Sequence, residues 1–219
     1  MFNFKNRGYV SKSVFKNNRS QKEGGAIFNY SNDMNIIDCE FENNSSFKGG
    51  AVFNKKSNAV FSNTVFIVNT VEKFGGAVYN EGGNPSFNGC IFRKNSVSQK
   101  KIAIIGGGAV SNYKSSPVFN SSIFEQNGAL YGGAFFNNYS SPEITDSVFK
   151  NNTAIKNGGA IENRKSSPMI VRSRFVENFS SNGGAISNRR SSPLVEKGHF
   201  EKNFAEYSGG AIYNFRSGP

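Results

Sequence analysis

One short unit repeats through this sequence with a nearly constant period. The triplet Gly-Gly-Ala occurs eight times, and successive copies begin 25 or 26 residues apart, with one interval of 32. The copies start at Gly24, Gly49, Gly75, Gly107, Gly132, Gly158, Gly183 and Gly209. A fixed period of this length is typical of repeat architectures, in which each unit stacks on its neighbours. We therefore predict a single repeat array over residues 1–219.

Phenylalanine and asparagine keep the same register as the triplet. A phenylalanine lies 17 residues after the first glycine of each of the first seven triplets, and Phe15 supplies an eighth copy. An asparagine follows three residues after each phenylalanine, and another follows three residues after each triplet alanine. Asparagine tolerates left-handed backbone, and its amide can bond the equivalent amide of the next unit. We expect two hydrogen-bonded asparagine ladders, with Gly-Gly at a corner that needs positive φ or close backbone approach.

Three positions in each unit are always apolar, and neighbouring positions are mixed. In the first full unit the apolar positions are Ile27, Ile36 and Phe41, whereas the adjacent positions accept Glu, Ser or Arg in one unit or another. Alternation of this kind indicates strands with one face inward. Three inward columns imply three short strands per turn, each pairing in parallel with its copy in the next turn. The sequence thus predicts an all-β fold, a right-handed parallel β-helix of about eight coils of 25–26 residues.

The two cysteines, Cys39 and Cys90, occupy the same position in units two turns apart. Stacked strands are about 4.8 Å apart, so their backbones are expected to lie about 9.6 Å apart. A disulfide tolerates about 7 Å between Cα atoms. We predict two free thiols.

The long interval and the two ends of the array carry separate expectations. Residues 99–105 (QKKIAII) account for the interval of 32 and predict a loop that leaves the array, either as a contact site or folded back on it. The terminal units are incomplete, and no secretory signal or run of about 18 apolar residues is present. We expect a fragment of a longer protein, with any export signal or anchor outside it. The sequence does not predict the oligomeric state.

The paired tetrapeptides Gly-Gly-Ala-Ile (24–27) and Phe-Lys-Asn-Asn (15–18), with their later copies, resemble the repeats of the polymorphic outer membrane proteins best known from chlamydiae. The resemblance covers essentially the whole chain and departs only where Phe135 replaces the aliphatic residue after the triplet. It implies a secreted β-helical solenoid on a bacterial cell surface or outer membrane, acting as an adhesin towards host cells.

The formal net charge of +11 favours anionic partners. Basic residues cluster just after the asparagine that follows each triplet, and stacking would bring them to one corner of the coils. We call this set the basic ridge, and its members are Lys55, Lys56, Lys114, Arg164, Lys165, Arg189, Arg190 and Arg216. The ridge predicts binding to a host-cell surface or an anionic polysaccharide. An alternative role is to discourage association between copies through repulsion. No nucleic-acid-binding motif is present.

A second candidate surface is aromatic. Phe28, Phe53 and Tyr79 occupy the mixed, outward position two residues after the triplet alanine in three successive units. Such an aromatic strip could stack on sugars or pack against a partner. A covering loop or a neighbouring domain would explain it equally well.

The sequence does not favour an enzyme. His199, the single histidine, lies at an outward position, and no group of His and Cys has the spacing of a metal site. Asp38, Glu40 and Glu42 are expected to alternate along one strand and so share a face, but the next unit has no acid at the same positions. We predict a non-catalytic segment that serves as a stalk and adhesive surface, with no catalytic residue, metal or cofactor. The alternative is a carbohydrate-active β-helix enzyme, similar to polysaccharide lyases, whose active groups are weak or lie outside this chain.

Overall fold

The computed structural model describes residues 2–4, 8–98 and 106–218, and these residues form a parallel β-solenoid of about eight coils. Each coil contributes one strand to each of four sheets, and each strand pairs in parallel with the same strand of the next coil. The predicted all-β, parallel β-helical fold is confirmed. No helix occurs in the described residues, and hence none there that could cross a membrane. The predicted loop at 99–105 lies outside the described residues.

We name the sheets A to D in the order in which a coil passes through them after its Gly-Gly-Ala triplet. The strands of sheet A are Phe2–Phe4, Ile27–Tyr30, Val52–Lys55, Val78–Glu81, Val110–Tyr113, Phe135–Asn138, Ile161–Arg164, Ile186–Arg189 and Ile212–Phe215. Those of sheet B are Tyr9–Ser11, Asn35–Ile37, Val60–Ser62, Ser86–Asn88, Val118–Asn120, Glu143–Thr145, Met169–Val171 and Leu194–Glu196.

Sheets C and D complete each coil. The strands of sheet C are Val14–Lys16, Glu40–Glu42, Val65–Ile67, Ile91–Arg93, Ile123–Glu125, Val148–Lys150, Arg174–Val176 and His199–Glu201. Those of sheet D are Ser45–Lys48, Thr70–Phe74, Ser96–Val97, Gly128–Tyr131, Thr153–Asn157, Phe179–Asn182 and Phe204–Ser208.

The core is a set of parallel side-chain stacks from sheets A, B and C, as the apolar columns predicted. The repeat phenylalanines stack face to face from Phe15 to Phe200, with ring centroids 4.7–5.0 Å apart and planes within 11° of parallel. This separation matches the spacing of paired strands. Identical residues in identical positions therefore stay in contact from coil to coil.

The triplet glycines form the corner between sheets D and A. At Gly132 φ is +60°, and a Cβ there would lie 1.8 Å from the carbonyl oxygen of Phe135. At Gly133 a Cβ would lie 2.1 Å from the carbonyl oxygen of Gly159 in the next coil. The first glycine thus provides the left-handed backbone, and the second lets successive coils approach.

Both predicted asparagine ladders are present, and they differ in chemistry. After the triplet, the side chains bond only along their own series, as in the bond from Asn137 Nδ2 to Asn163 Oδ1 of 2.9 Å. In the Phe-x-x-Asn series, Asn152 Oδ1 accepts from both the backbone N–H and the Nδ2 of Asn127. Asn152 Nδ2 also donates to the carbonyl oxygen of Phe124. From Asn44 onward, each asparagine of this motif therefore donates a hydrogen bond to the backbone carbonyl oxygen of the phenylalanine in the preceding copy.

The prediction of three strands per coil was wrong, because sheet D supplies a fourth. Its inward column changes chemical type from coil to coil, and its residues are Ser46, Val71, Val97, Ala129, Ala154 and Ser180. Small apolar residues and serine can share this column because Ser46 Oγ bonds the carbonyl oxygens of Lys48 and Gly49 at 2.7 and 2.8 Å. A column without constant hydrophobicity leaves no periodic signal.

The cysteine prediction is confirmed, since Cys39 and Cys90 are free and buried. Burial raises the pKa of the Cys90 thiol to about 12. Both thiols occupy a column that later coils fill with hydroxyl side chains, and the backbone N–H of Cys90 donates to Ser122 Oγ at 3.2 Å.

Candidate functional site: the outer face of sheet A

Three columns of side chains make up the outer face of sheet A and the corner that follows it. The column nearest the Gly-Gly-Ala triplet, which we call the inner column, holds Phe28, Phe53, Tyr79, Ser111, Phe136, Glu162, Ser187 and Tyr213. The middle column holds Tyr30, Lys55, Glu81, Tyr113, Asn138, Arg164, Arg189 and Phe215. The corner column has positive φ and holds Ser31, Lys56, Gly82, Lys114, Tyr139, Lys165, Arg190 and Arg216. Both candidate surfaces therefore belong to one face.

The inner column was predicted to be exposed, and this was wrong for most of it. Phe53, Tyr79 and Phe136 are 0%, 5% and 2% exposed, and Glu162 is fully buried. The aromatic strip forms a stack, with Phe53 5.2 Å from Phe28 and 5.0 Å from Tyr79 between ring centroids. The faces of Phe53 and Tyr79 are thus not open to a sugar or a partner.

The covering groups come from sheet D. The chain bends at Gly-Gly so that the ends of the sheet D strands lie against the outer face of sheet A. The ammonium of Lys48 lies 5.9 Å from the Phe53 ring centroid and 5.4 Å from that of Tyr79. Phe74 stacks on both Tyr79 and Phe136, at 5.8 and 6.1 Å. Phe74 therefore bridges the coil in which the small Ser111 occupies the inner column.

Glu162 and Arg164 form a buried ion pair further along the same face. Arg164 Nε donates to Glu162 Oε1 at 2.8 Å, and the Arg164 side chain is 15% exposed. The Arg164 guanidinium lies 4.1 Å from the Tyr131 ring centroid and 5.1 Å from that of Phe136. Burial raises the pKa of Glu162 above its ordinary value, although Arg164 opposes this shift. The fold thus places one largely buried arginine at the floor of this face.

The structure divides the basic ridge into two groups. Lys55 lies 3.9 Å from Glu81, and the corner position of that next coil is Gly82, so Lys55 and Lys56 are set apart from the rest. From Lys114 onward the corner column is basic except at Tyr139. Positive charge is most concentrated in the middle and corner columns where Arg164 and Lys165 lie beside Arg189 and Arg190 of the following coil. We call these four residues the cationic cluster.

Tyr139 is an exposed part of this surface that the sequence reasoning missed. Lys165 Nζ donates to Tyr139 Oη at 2.5 Å, and the Lys165 ammonium lies 4.8 Å from the Tyr139 ring centroid. That bond and the Lys165 charge lower the pKa of Tyr139. Tyr139 thus fills the position between Lys114 and Lys165 with a polar hydroxyl group that Lys165 binds.

Three adjoining depressions run along this face. The first, of about 210 Å³, is lined by Phe74, Tyr79, Ser111, Asn112, Tyr113, Phe136 and Asn138. The second, of about 310 Å³, is lined by Phe136, Asn138, Tyr139 and the cationic cluster. The third, of about 170 Å³, is lined by Asn157, Asn182, Ser187, Arg189, Tyr213 and Phe215. The serines at 111 and 187, small residues in a column of large ones, were the sequence signal for the outer two depressions.

The residues considered for catalysis are not brought together. His199 is exposed and lies 3.4 Å from Glu201 on sheet C. Asp38 has φ of +52° and lies at the corner before the strand that contains Glu40 and Glu42, so the three acids do not share one strand. No group of three or more metal-ligating side chains occurs in the part of the chain that the structure describes.

Comparison with known proteins adds a family for the repeat. The model of the Chlamydia polymorphic membrane protein repeat matches residues 12–30, 38–55, 146–164 and 199–214. All four segments contain both the Phe-x-x-Asn motif and the following triplet, which form the core stack and the D–A corner. No curated protein matches the chain, and no solved structure matches it. Four segments of this β-solenoid are therefore similar to the Chlamydia polymorphic membrane protein repeat.

Proposed function

We propose that this chain is a non-catalytic β-helix segment of a bacterial surface or outer membrane protein, and that it acts as an adhesin by binding anionic polysaccharide of a host-cell surface. The repeat family supports the placement, since it is a family of non-enzymatic surface proteins. The observation that carries the binding role is the basic ridge from Lys114 to Arg216, which is exposed along one edge of the rod except at the largely buried Arg164.

The geometry of the ridge suits a linear polyanion. Successive coils are about 4.8 Å apart, so cations in one column form a row parallel to the axis of the β-helix. A row of this kind raises the local concentration of an anionic chain and can contact several of its charges together. Exposed charges of this type are screened by salt, so binding should weaken as ionic strength rises.

The test removes the exposed corner row without touching the buried Arg164. Lys114, Lys165, Arg190 and Arg216 are replaced by serine, which Ser31 shows to be compatible with the same corner at φ of +52°. The matched control replaces Lys12, Lys94, Lys197 and Lys202, which are exposed lysines with positive φ at other corners. Both variants lose four positive charges. The measurement is the salt concentration that elutes each protein from immobilised heparin.

We expect the ridge variant to elute at clearly lower salt than the control variant. Equal elution of the two variants would mean that net charge, and not this corner, determines binding. Binding of the ridge variant at the wild-type salt concentration would remove the corner row from the proposal.

A further inference from the structure

The three depressions form one continuous groove. Phe136 and Asn138 line both the first and the second depression, and Arg189 lines both the second and the third. Six strands of sheet A, from Val78–Glu81 to Ile212–Phe215, line it. At about 4.8 Å per strand, the groove is about 24 Å long and runs parallel to the axis.

The groove has two chemically different halves. The half towards the later coils carries the cationic cluster, and Arg189 reaches a further ring, with its guanidinium 5.4 Å from the Phe215 centroid. The half towards the earlier coils presents the hydroxyl group of Tyr113 and the amide of Asn138 beside aromatic rings, with the buried Ser111 at its base. Among the described lining residues of the three depressions there is no carboxylate. The nearby Glu162 is buried beneath its own ion pair.

We propose that this groove is the specific site for one extended acidic polysaccharide chain lying parallel to the axis of the β-helix. Its carboxylate or sulfate groups contact Arg189, Arg190 and the exposed edge of Arg164, and its uncharged hydroxyl-bearing rings lie against Tyr113 and Asn138. The inference rests on the proposed function and narrows it, because it assigns affinity to the groove and not to the exposed corner row alone.

The pairing of a cationic half with an uncharged half favours a polysaccharide over a uniformly charged polymer. The residues that line the first depression include no cation, so the charged groups of a polyphosphate would find positive charge there only at its rim, where the Lys114 ammonium lies 5.4 Å from the Tyr113 ring centroid. Single-stranded nucleic acid binds by stacking its bases on open aromatic faces. Here Phe74 occupies the space between Tyr79 and Phe136, so those faces are taken. Arginine donates in a planar fork that fits carboxylate and sulfate groups.

The decisive variant blocks the groove without changing charge. Asn138 forms the wall between the first two depressions, and tyrosine already occupies its column at Tyr30 and Tyr113. Asn138→Tyr should therefore fold and fill the groove. The control is Asn88→Tyr on the outer face of sheet B, which adds the same ring away from the groove. Affinities are measured by titration with size-fractionated heparin oligosaccharides, with linear polyphosphate and single-stranded DNA as competitors.

We expect affinity to rise with oligosaccharide length and to level off once the chain spans about 24 Å. Asn138→Tyr should weaken binding of the long oligosaccharide by about tenfold or more, whereas Asn88→Tyr should bind as the wild type does. Arg189→Asn introduces the residue that already occupies the same column at Asn138. It should weaken binding of the same oligosaccharide to a similar degree.

The failures are distinguishable. Oligosaccharide binding that is insensitive to Asn138→Tyr but is lost in the corner-row variant would overturn the groove and leave the proposed function standing. Polyphosphate or DNA binding as tight as that of the oligosaccharide would overturn the assignment to polysaccharide. Absence of oligosaccharide binding by the folded wild type would overturn both.

Discussion

The two asparagine ladders look alike in sequence, but the structure predicts different energetic weights for them. Asn152 and Asn163 are both fully buried, one in each ladder. The Asn152 side chain makes four hydrogen bonds, to the N–H and Nδ2 of Asn127, the carbonyl oxygen of Phe124 and Oδ1 of Asn178, all at 2.9–3.1 Å. Asn163 makes two, to Asn137 and Asn188, both at 2.9 Å.

Replacing either residue by alanine removes the same atoms, so the packing loss is similar in the two variants. At about 1 kcal/mol for each hydrogen bond, Asn152→Ala should lower the free energy of unfolding by about 4 kcal/mol and Asn163→Ala by about 2 kcal/mol. The larger loss includes the backbone N–H of Asn127, which is left buried without the oxygen that it bonds.

Urea unfolding followed by far-ultraviolet circular dichroism measures both losses, with an unchanged m value as the check that the variants unfold as the wild type does. Because each coil contacts only its neighbours, hydrogen exchange at the Asn127 amide provides a local readout. Exchange should accelerate strongly in Asn152→Ala and little in Asn163→Ala. Equal losses, or a greater loss from Asn163→Ala, would refute the claim that backbone bonding distinguishes the two ladders.

Two further predictions concern backbone packing and a buried charge. Gly133→Ala should cost about 3 kcal/mol or more, because its Cβ would lie 2.1 Å from a backbone oxygen, whereas Gly128→Ala, with its nearest contact at 3.9 Å, should be neutral or stabilise by about 0.5 kcal/mol. Thermal unfolding compares the pair, and similar losses would contradict the steric argument. Since the pKa of Glu162 is raised in the folded state, unfolding releases its proton, and wild-type stability should fall as pH rises above 4.5 towards the folded pKa. Glu162→Gln should lack this component in urea titrations, and an identical pH profile would exclude it.

The stacking columns of the fold follow directly from periodicity. Residues that recur every 25 or 26 positions meet their copies in the next coil, so the phenylalanine stack, both ladders and the separation of Cys39 from Cys90 were predictable. The fourth strand was not, because Ser46 satisfies its hydroxyl within its own corner and can therefore share a column with Val71. Hydrophobic alternation detects a strand only when its inward side chains are consistently apolar.

The sequence by itself determined which side chains share a column and therefore the basic ridge, since stacking needs only the repeat length. The tertiary structure alone decided which outward columns meet solvent. That depends on the angle between sheets D and A at Gly-Gly, and this angle places Lys48 and Phe74 over the aromatic strip. Because the ends of the sheet D strands bend towards the outer face of sheet A, the aromatic side chains between them are buried. A strip predicted as a surface thus becomes packing, and the gaps beside Ser111 and Ser187 become a groove.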